Sequence, residues 1–399
     1  LDGGAMCPSY RVTRDEAHVT RGRANTLRLA LTGQLPGQDL SGSDVQDALS
    51  LCVSCKACKR ECPTGVDMAR MKIETKAAHH ATYGPSLHDR LIADLPRYAR
   101  LGAAFAPLLN LRDRVPALAR LSERLARFSA KRRLPRWRTD TFKPPAAQGP
   151  AEGREVILFT DTFNRTFDRE ILESAVKVLV AGSYRIRHAA PTDGSTRPLC
   201  CGRTYLSTGM IDKARAEAER LLSALGDAAA RGVPIIGLEP SCLLTLRDEL
   251  PALCAGDPRA AAVEKSAMLF EEFLVAEAKA GRLALPLKPL GAKVLLHGHC
   301  HQKAFGLMGA VEGALRLVPD LTLETVESSC CGMAGAFGYH ADTIETSKAM
   351  AELSLLPAVR AASPDTIVVA DGTSCRHQIA DGTTRNAVHV AEVLARALG

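Results

Sequence analysis

Residues 51–63 read Leu-Cys-Val-Ser-Cys-Lys-Ala-Cys-Lys-Arg-Glu-Cys-Pro, a C-x₂-C-x₂-C-x₃-C-P run with cysteines at 52, 55, 58 and 62. Three thiolates two residues apart can wrap three corners of an iron–sulfur cubane, and a fourth followed by proline leaves the loop as a helix begins. Zinc ordinarily uses two separated pairs rather than four cysteines in one run, so the run is read as a ligand loop for a 4Fe–4S cluster. In two-cluster ferredoxins the fourth cysteine of such a run serves the other cluster. That rule makes Cys7, which with Pro8 forms the other Cys-Pro of the chain, the fourth ligand beside Cys52, Cys55 and Cys58. Cys62 then belongs to a second cluster whose other ligands lie upstream of Leu1. The alternative is that Cys62 closes a one-cluster site and Cys7 is structural. Leu1-Asp2-Gly3-Gly4 reads as loop interior, so the chain is expected to begin within a longer protein.

The other cysteines repeat. Cys200-Cys201-Gly202 recurs 130 residues later as Cys330-Cys331-Gly332, and Cys242 recurs 133 residues later as Cys375. The strand-like run at Ile157 recurs 137 residues later at Val294, which marks an internal duplication of a strand–helix unit. Strands alternating with helices predict a mainly parallel α/β arrangement, whose loops converge at the carboxyl ends of the strands. The second unit offers Cys300, Cys330, Cys331 and Cys375 there, enough for a metal or cluster. The first offers Cys200, Cys201 and Cys242, with Phe163 at the position the strand offset assigns to a fourth. His297, His299 and His301 alternate around Cys300 and would share a face if the strand continued, as ligands or proton carriers, or as ordinary packed histidines. Cys254 reads as structural. Lys56, Lys59 and Arg60 either offset cluster charge or are surface charges.

The fold class expected is α+β multi-domain. Residues 1–90 form an all-α ferredoxin-type 4Fe–4S domain, 91–150 a basic helical segment and linker, 151–285 one cysteine-rich unit, and 286–399 a second. The helical pattern at 21–31 is amphipathic, with Arg21, Arg23 and Arg28 on its polar side, and Pro36 and Gly37 mark the loop after it. Net charge is +7 over 399 residues. The stretch Arg90–Lys143 alone holds 14 Lys and Arg against 4 Asp and Glu. It is read as a solvated helical face or as a docking surface for an acidic partner or membrane headgroups. A nucleic-acid partner is excluded, because the remaining chain is slightly acidic and aromatics are 4%. Thirteen cysteines without a small secreted scaffold indicate a reducing compartment.

Met6-Cys7-Pro8-Ser9-Tyr10, Thr20-Arg21-Gly22-Arg23-Ala24-Asn25, the cysteine run and the two CCG units together resemble the iron–sulfur C-terminal half of bacterial FAD-linked oxidases, the D-lactate or D-2-hydroxyglutarate dehydrogenases. They are also similar to the glycolate oxidase iron–sulfur subunit, the anaerobic glycerol-3-phosphate dehydrogenase C subunit and the heterodisulfide reductase B subunit. The resemblance implies FAD on an upstream or partner oxidase domain, electron passage to a quinone or other acceptor, and a cytoplasmic chain, with a peripheral membrane position as a candidate. A heterodisulfide-reductase-like thiol/disulfide enzyme is the alternative. Its units carry a further cysteine three residues before the last, where this chain has Gly372 and Glu239.

Overall fold

Residues 6–35 and 39–399 are described by the computed structural model; the opening Leu1-Asp2-Gly3-Gly4 and the loop residues Pro36 and Gly37 fall in the stretches 1–5 and 36–38, outside the described residues. The first described strand begins at Ala147, so the cysteine run sits in helical surroundings. The helix Thr20–Leu31 packs on the helices Ser43–Ser50 and Met68–Tyr83, enclosing Leu27, Val45, Leu49 and Met68. Arg23, expected on the polar face, is instead 2% exposed. Its guanidinium donates to the Ala48 carbonyl at 3.0 Å and the Ser9 hydroxyl at 2.8 Å, which makes burial of the charge tolerable.

Helices then run to Ala126, three of them opened by prolines. Pro96, Pro107 and Pro116 occupy the first turns of the helices Leu95–Ala104, Ala106–Leu109 and Pro116–Ala126. A fixed φ and a missing N–H cost nothing there.

Eight strands follow: β1 Ala147–Gln148, β2 Arg154–Leu158, β3 Tyr184–His188, β4 Ile235–Gly237, β5 Ala267–Leu269, β6 Lys293–Leu296, β7 Thr322–Thr325 and β8 Ile367–Val369. They form two sheets, ordered β1-β3-β2-β4-β5 and β7-β6-β8. Every pairing is parallel except the short edge strand β1, contributed by the stretch read as a linker. The centres of the sheets correspond: β2 lies between β3 and β4 as β6 lies between β7 and β8. The two units are not separate bodies. Val156, Ile186 and Ile236 of one and Val294, Val369 and Val390 of the other belong to a single apolar core.

Register corrects the sequence offset. Leu158 pairs with Ile236, and Leu296 with Val369. Three residues beyond each central strand a side chain caps a short helix: Asp161 caps Thr162–Thr166 and His299 caps Cys300–Ala304. The units are therefore 138 residues apart at this point, and the counterpart of Cys300 is Thr162 rather than Phe163. Two short helices follow β6, Cys300–Ala304 and Met308–Leu315, with Gly306 at φ 74° between them.

Candidate functional site

The N-terminal centre is a small cavity whose lining includes the cysteines Cys7, Cys52, Cys55 and Cys58. Left-handed backbone at Ser54 (φ 50°) and Lys56 (φ 61°) curls the loop around it, and Cys7 itself is left-handed (φ 52°) at the start of a helix. All four cysteines are buried. Cys62 is not in the lining; its sulfur rests on the Thr64 hydroxyl at 3.1 Å.

The Cys7 sulfur meets the Thr20 N–H at 3.2 Å, the Thr20 hydroxyl at 3.1 Å and the Arg23 guanidinium at 3.9 Å. Burial pushes Cys58 up to about 11, with backbone N–H and neighbouring thiols acting less strongly. Several buried sulfurs cannot all ionise beside one another unless a cation is among them. The cavity and its donor set therefore fit an iron–sulfur cubane, which Cys7, Cys52, Cys55 and Cys58 would hold.

Lys56 does not face that cavity with its charge. It is buried, with Nζ 2.5 Å from Asp248 and 2.7 Å from Glu249. Lys59 and Arg70 join the same Asp248 carboxylate. Of the two sequence readings of these lysines, offsetting cluster charge or lying free on the surface, neither describes Lys56: it ties the cysteine loop to the first α/β unit. Arg60 donates to the Lys303 carbonyl of the second unit.

In the second unit Cys330, Cys331 and Cys375 are buried and Cys300 is half-buried. The four sulfurs interact as a chain, Cys300 with Cys330, Cys330 with Cys331, and Cys331 with Cys375. Hydrogen bonding from its neighbours pulls Cys331 down, while Cys330 and Cys375 are pushed up. His297 is the one histidine of the three that joins them: its ring nitrogen and the sulfurs of Cys331 and Cys375 lie within 4.8 Å of one another. Nδ1 is held by the Ser328 hydroxyl at 2.9 Å, and the buried ring interacts with the Cys331 thiol. Burial, then Lys303, pushes His297 down to about 4, so the ring is neutral and offers a lone pair. This donor set fits a soft metal ion or cluster.

The strand does not continue through the histidines. It ends at Leu296; His299 caps the next helix, and His301 Nε2 lies 3.1 Å from the Ser54 carbonyl. Lys303 carries no motif signal in the sequence, although it follows Cys300 by one helical turn. Its ammonium donates to the Ser328 and Ser329 carbonyls and lies in the field of all four thiols.

The first unit repeats the geometry with fewer sulfurs. The N–H of Gly202 reaches Cys200 at 3.4 Å, as that of Gly332 reaches Cys330 at 3.4 Å, and both glycines are left-handed. Cys201 contacts Cys200 and Cys242. Where the second unit has His299 and Gly372, the first has Asp161 and Glu239, both buried. Burial and then Glu239 push Asp161 up to about 6. Both carboxylates are already engaged, Asp161 by Phe163 and Asn164, Glu239 by Ser241 and the Thr373 N–H of the other unit. Cys254 is half-buried and outside this group.

The two better-furnished centres touch. Cys55 and Cys300 lie within each other's field, and Val53, Cys55 and Ala57 share an apolar cluster with Cys330, Cys331 and Cys375.

Comparison with known proteins agrees with this arrangement. A 4Fe-4S dicluster domain matches residues 4–66, and a cysteine-rich domain matches residues 294–380. Over most of its length the chain is similar to iron–sulfur components of dehydrogenases and oxidases. Among its relatives is the C subunit of the anaerobic glycerol-3-phosphate dehydrogenase of Escherichia coli, 28% identical over 82% of this chain and 81% of that one. D-2-hydroxyglutarate dehydrogenase of Pseudomonas putida is 27% identical over 98% of this chain, which spans 41% of that protein. The glycolate oxidase iron-sulfur subunit of Escherichia coli is 24% identical, over 99% of this chain and 91% of that one.

Proposed function

We propose that this chain carries electrons from a flavin-bearing oxidase domain or subunit, acting on a D-2-hydroxy acid of the lactate, 2-hydroxyglutarate or glycolate type, to a quinone or other acceptor. The supporting observation is the contact between the cavity of Cys7, Cys52, Cys55 and Cys58 and the group of Cys300, Cys330, Cys331, Cys375 and His297. Bound iron–sulfur clusters supply one-electron chemistry, which splits the two electrons a flavin receives with a hydride. The residues of this chain hold the centres, exclude water and set their spacing. Cys62 would serve a further cluster with ligands from beyond these residues. Thirteen cysteines outside a small secreted scaffold support a cytoplasmic setting.

The heterodisulfide-reductase reading is disfavoured at one atom. A side chain at Gly372, where that pattern needs a cysteine, would put its Cβ 2.4 Å from the His299 ring.

The test is anaerobic reconstitution with iron and sulfide, followed by metal analysis and a reductive titration watched by EPR. The expected result is a brown protein with two distinguishable centres, the second lost in Cys331→Ser while the first remains. A colourless, zinc-loaded product would overturn the reading.

A further inference from the structure

His301 stands where the cysteine loop and both α/β units meet, and its side chain is buried. Nε2 lies 3.1 Å from the Ser54 carbonyl, 247 residues away along the chain. A carbonyl only accepts, so Nε2 carries the ring proton and donates it. Ser54 precedes Cys55, and His301 follows Cys300. One hydrogen bond therefore completes an otherwise covalent connection between a cysteine of the first centre and a cysteine of the second. From the first α/β unit, Arg203 approaches the same nitrogen at 3.5 Å and gives its charge to Glu249 at 2.6 Å. Glu249 is also a partner of Lys56, in the same loop as Ser54.

The ring is fixed from behind. The His301 backbone N–H donates to His299 Nδ1 at 3.2 Å, and the two rings stand edge-on with centroids 5.2 Å apart. The His299 backbone N–H donates to the Gln302 side chain at 2.9 Å, and Gln302 donates to Asp371 at 2.7 Å. The receiving side is constrained as well. Ser54 holds a left-handed backbone, φ 50°, which persists only where its surroundings over-determine it. Beside this bond the short helices Ala57–Glu61 and Cys300–Ala304 pack on each other, and Arg60 donates to the Lys303 carbonyl. Among the described residues His301 joins no group of candidate metal ligands, so its burial against one carbonyl answers to another task.

We propose that His301 is the positioning residue that couples the two centres: its Nε2–H holds the Ser54 carbonyl and thereby keeps Cys55 and Cys300 at one fixed separation. The inference rests on the reading that both cysteine groups hold one-electron centres. One electron leaves the first centre, which is oxidised, and enters the second, which is reduced by it. No proton moves at His301, because its Nε2–H stays on the carbonyl throughout. Outer residues that orient metal ligands are commonly worth about 10–100-fold in affinity or activity.

The test uses the full chain, reconstituted anaerobically with iron and sulfide. EPR of the doubly reduced protein reads the magnetic coupling between the centres. Pulse radiolysis then delivers one electron and times its redistribution between them. His301→Phe and His301→Leu both remove the donor, with and without a ring, whereas His301→Gln keeps an N–H of similar reach. In the first two the coupling should weaken and exchange should slow by at least about tenfold, with iron content and both midpoint potentials as in the parent. His301→Gln should restore the coupling and most of the exchange. Parental coupling and exchange in His301→Phe or His301→Leu would overturn the proposal. Iron loss or a shifted midpoint in both would make the ring a ligand, or a support of one centre alone, and would overturn it. Failure of His301→Gln to restore exchange would put the effect in packing rather than in the hydrogen bond, and would overturn it too. A parent protein holding a single centre would refute the electron-transfer reading and this inference with it.

Discussion

The Lys56 ammonium lies buried against the Asp248 carboxylate at 2.5 Å, joining the cysteine loop to an α/β unit 192 residues further along the chain. The pair does not stand alone, because Lys59 and Arg70 share Asp248 while Glu249 takes Lys56 and Arg203. Burial would raise the Asp248 carboxyl, but the charges and hydrogen bonds of Lys56 and Lys59 prevail and hold it well below the usual carboxylate range.

Removing that charge should therefore loosen the N-terminal domain. Asp248→Asn leaves Lys56 with only Glu249 and should cost about 3–5 kcal/mol, as expected for breaking a buried pair. A folded pKa below the unfolded one means that the stabilisation is present above the unfolded value of about 3.9 and is lost as pH falls through the folded one. Urea titrations of both proteins at neutral and acid pH would check this: the gap between them should narrow on acidification. A constant gap would show that Asp248 is not charged in the native pair.

Cys7 and Cys62 should differ in the isolated chain. Cys7 lines the cavity, and its sulfur accepts from the Thr20 N–H and the Arg23 guanidinium and lies beside the Thr20 hydroxyl, whereas Cys62 lies outside. Cys7→Ser should strongly weaken the EPR signal of the reduced N-terminal cluster, and Cys62→Ser should leave it nearly intact. The reverse ranking would assign closure of the site to Cys62.

Thr20 offers a finer probe of the same centre. Its hydroxyl lies 3.1 Å from the Cys7 sulfur, and hydrogen bonds to ligand sulfurs raise a cluster's potential. Thr20→Val keeps the N–H contact and the shape. It should shift the potential downward in a redox titration while the iron content stays unchanged; an unshifted midpoint would mean that the hydroxyl points its proton elsewhere.

The two α/β units should respond unequally. Cys331 touches Cys330, Cys375 and His297, but Cys201 has only Cys200 and Cys242. Cys331→Ser should abolish electron transfer in the enzyme assembled with its flavin partner. Cys201→Ser should mainly lower stability, by about 0.5–3 kcal/mol. Acceptor reduction measured beside thermal melts separates the outcomes, and equal loss of transfer with folding intact would refute the asymmetry.

What could be read from the sequence was what spacing encodes. Four cysteines in one run, and CCG repeated with similar flanks, are local patterns, and the parallel α/β order followed from strands alternating with helices. What could not be read was set by distant partners. Arg23 looks like one more arginine of a polar helix face until Ser9 and Ala48 close over it. Lys56 looks like a surface charge until Asp248 and Glu249 arrive from the other unit. His297, His299 and His301 look equivalent in an alternating run, but the strand ends before them and the chain turns into a helix, sending each ring to a different task. The one-residue error at Cys300 has the same origin: an apolar run dates a strand only to within a residue or two, whereas paired hydrogen bonds fix it.

Glu271 provides a pH test away from every cysteine. Its side chain is 0% exposed and neither carboxyl oxygen has a hydrogen-bond partner among the described residues. Its neighbours are Asp371 and His389, and with them it forms a buried group of three. The arrangement invites a metal ion, but His389 is spent: its Nδ1 accepts from the Ala391 N–H at 3.0 Å, so Nε2 carries the proton given to the Leu238 carbonyl at 3.0 Å. Burial first, and the charge of Asp371 second, push Glu271 well above the ordinary carboxylate range. The folded chain then holds a proton that the unfolded chain releases above about pH 4.3, so stability falls as pH rises from there towards the folded value. The slope from this one group is at most about 1.4 kcal/mol per pH unit. Glu271→Gln keeps the size and a donor but cannot ionise. Its stability should match the parent near pH 4 and exceed it increasingly towards about pH 8, as read from urea midpoints across that range. Parallel curves, or a variant weaker than the parent at alkaline pH, would mean that Glu271 is ionised and finds a partner in solution.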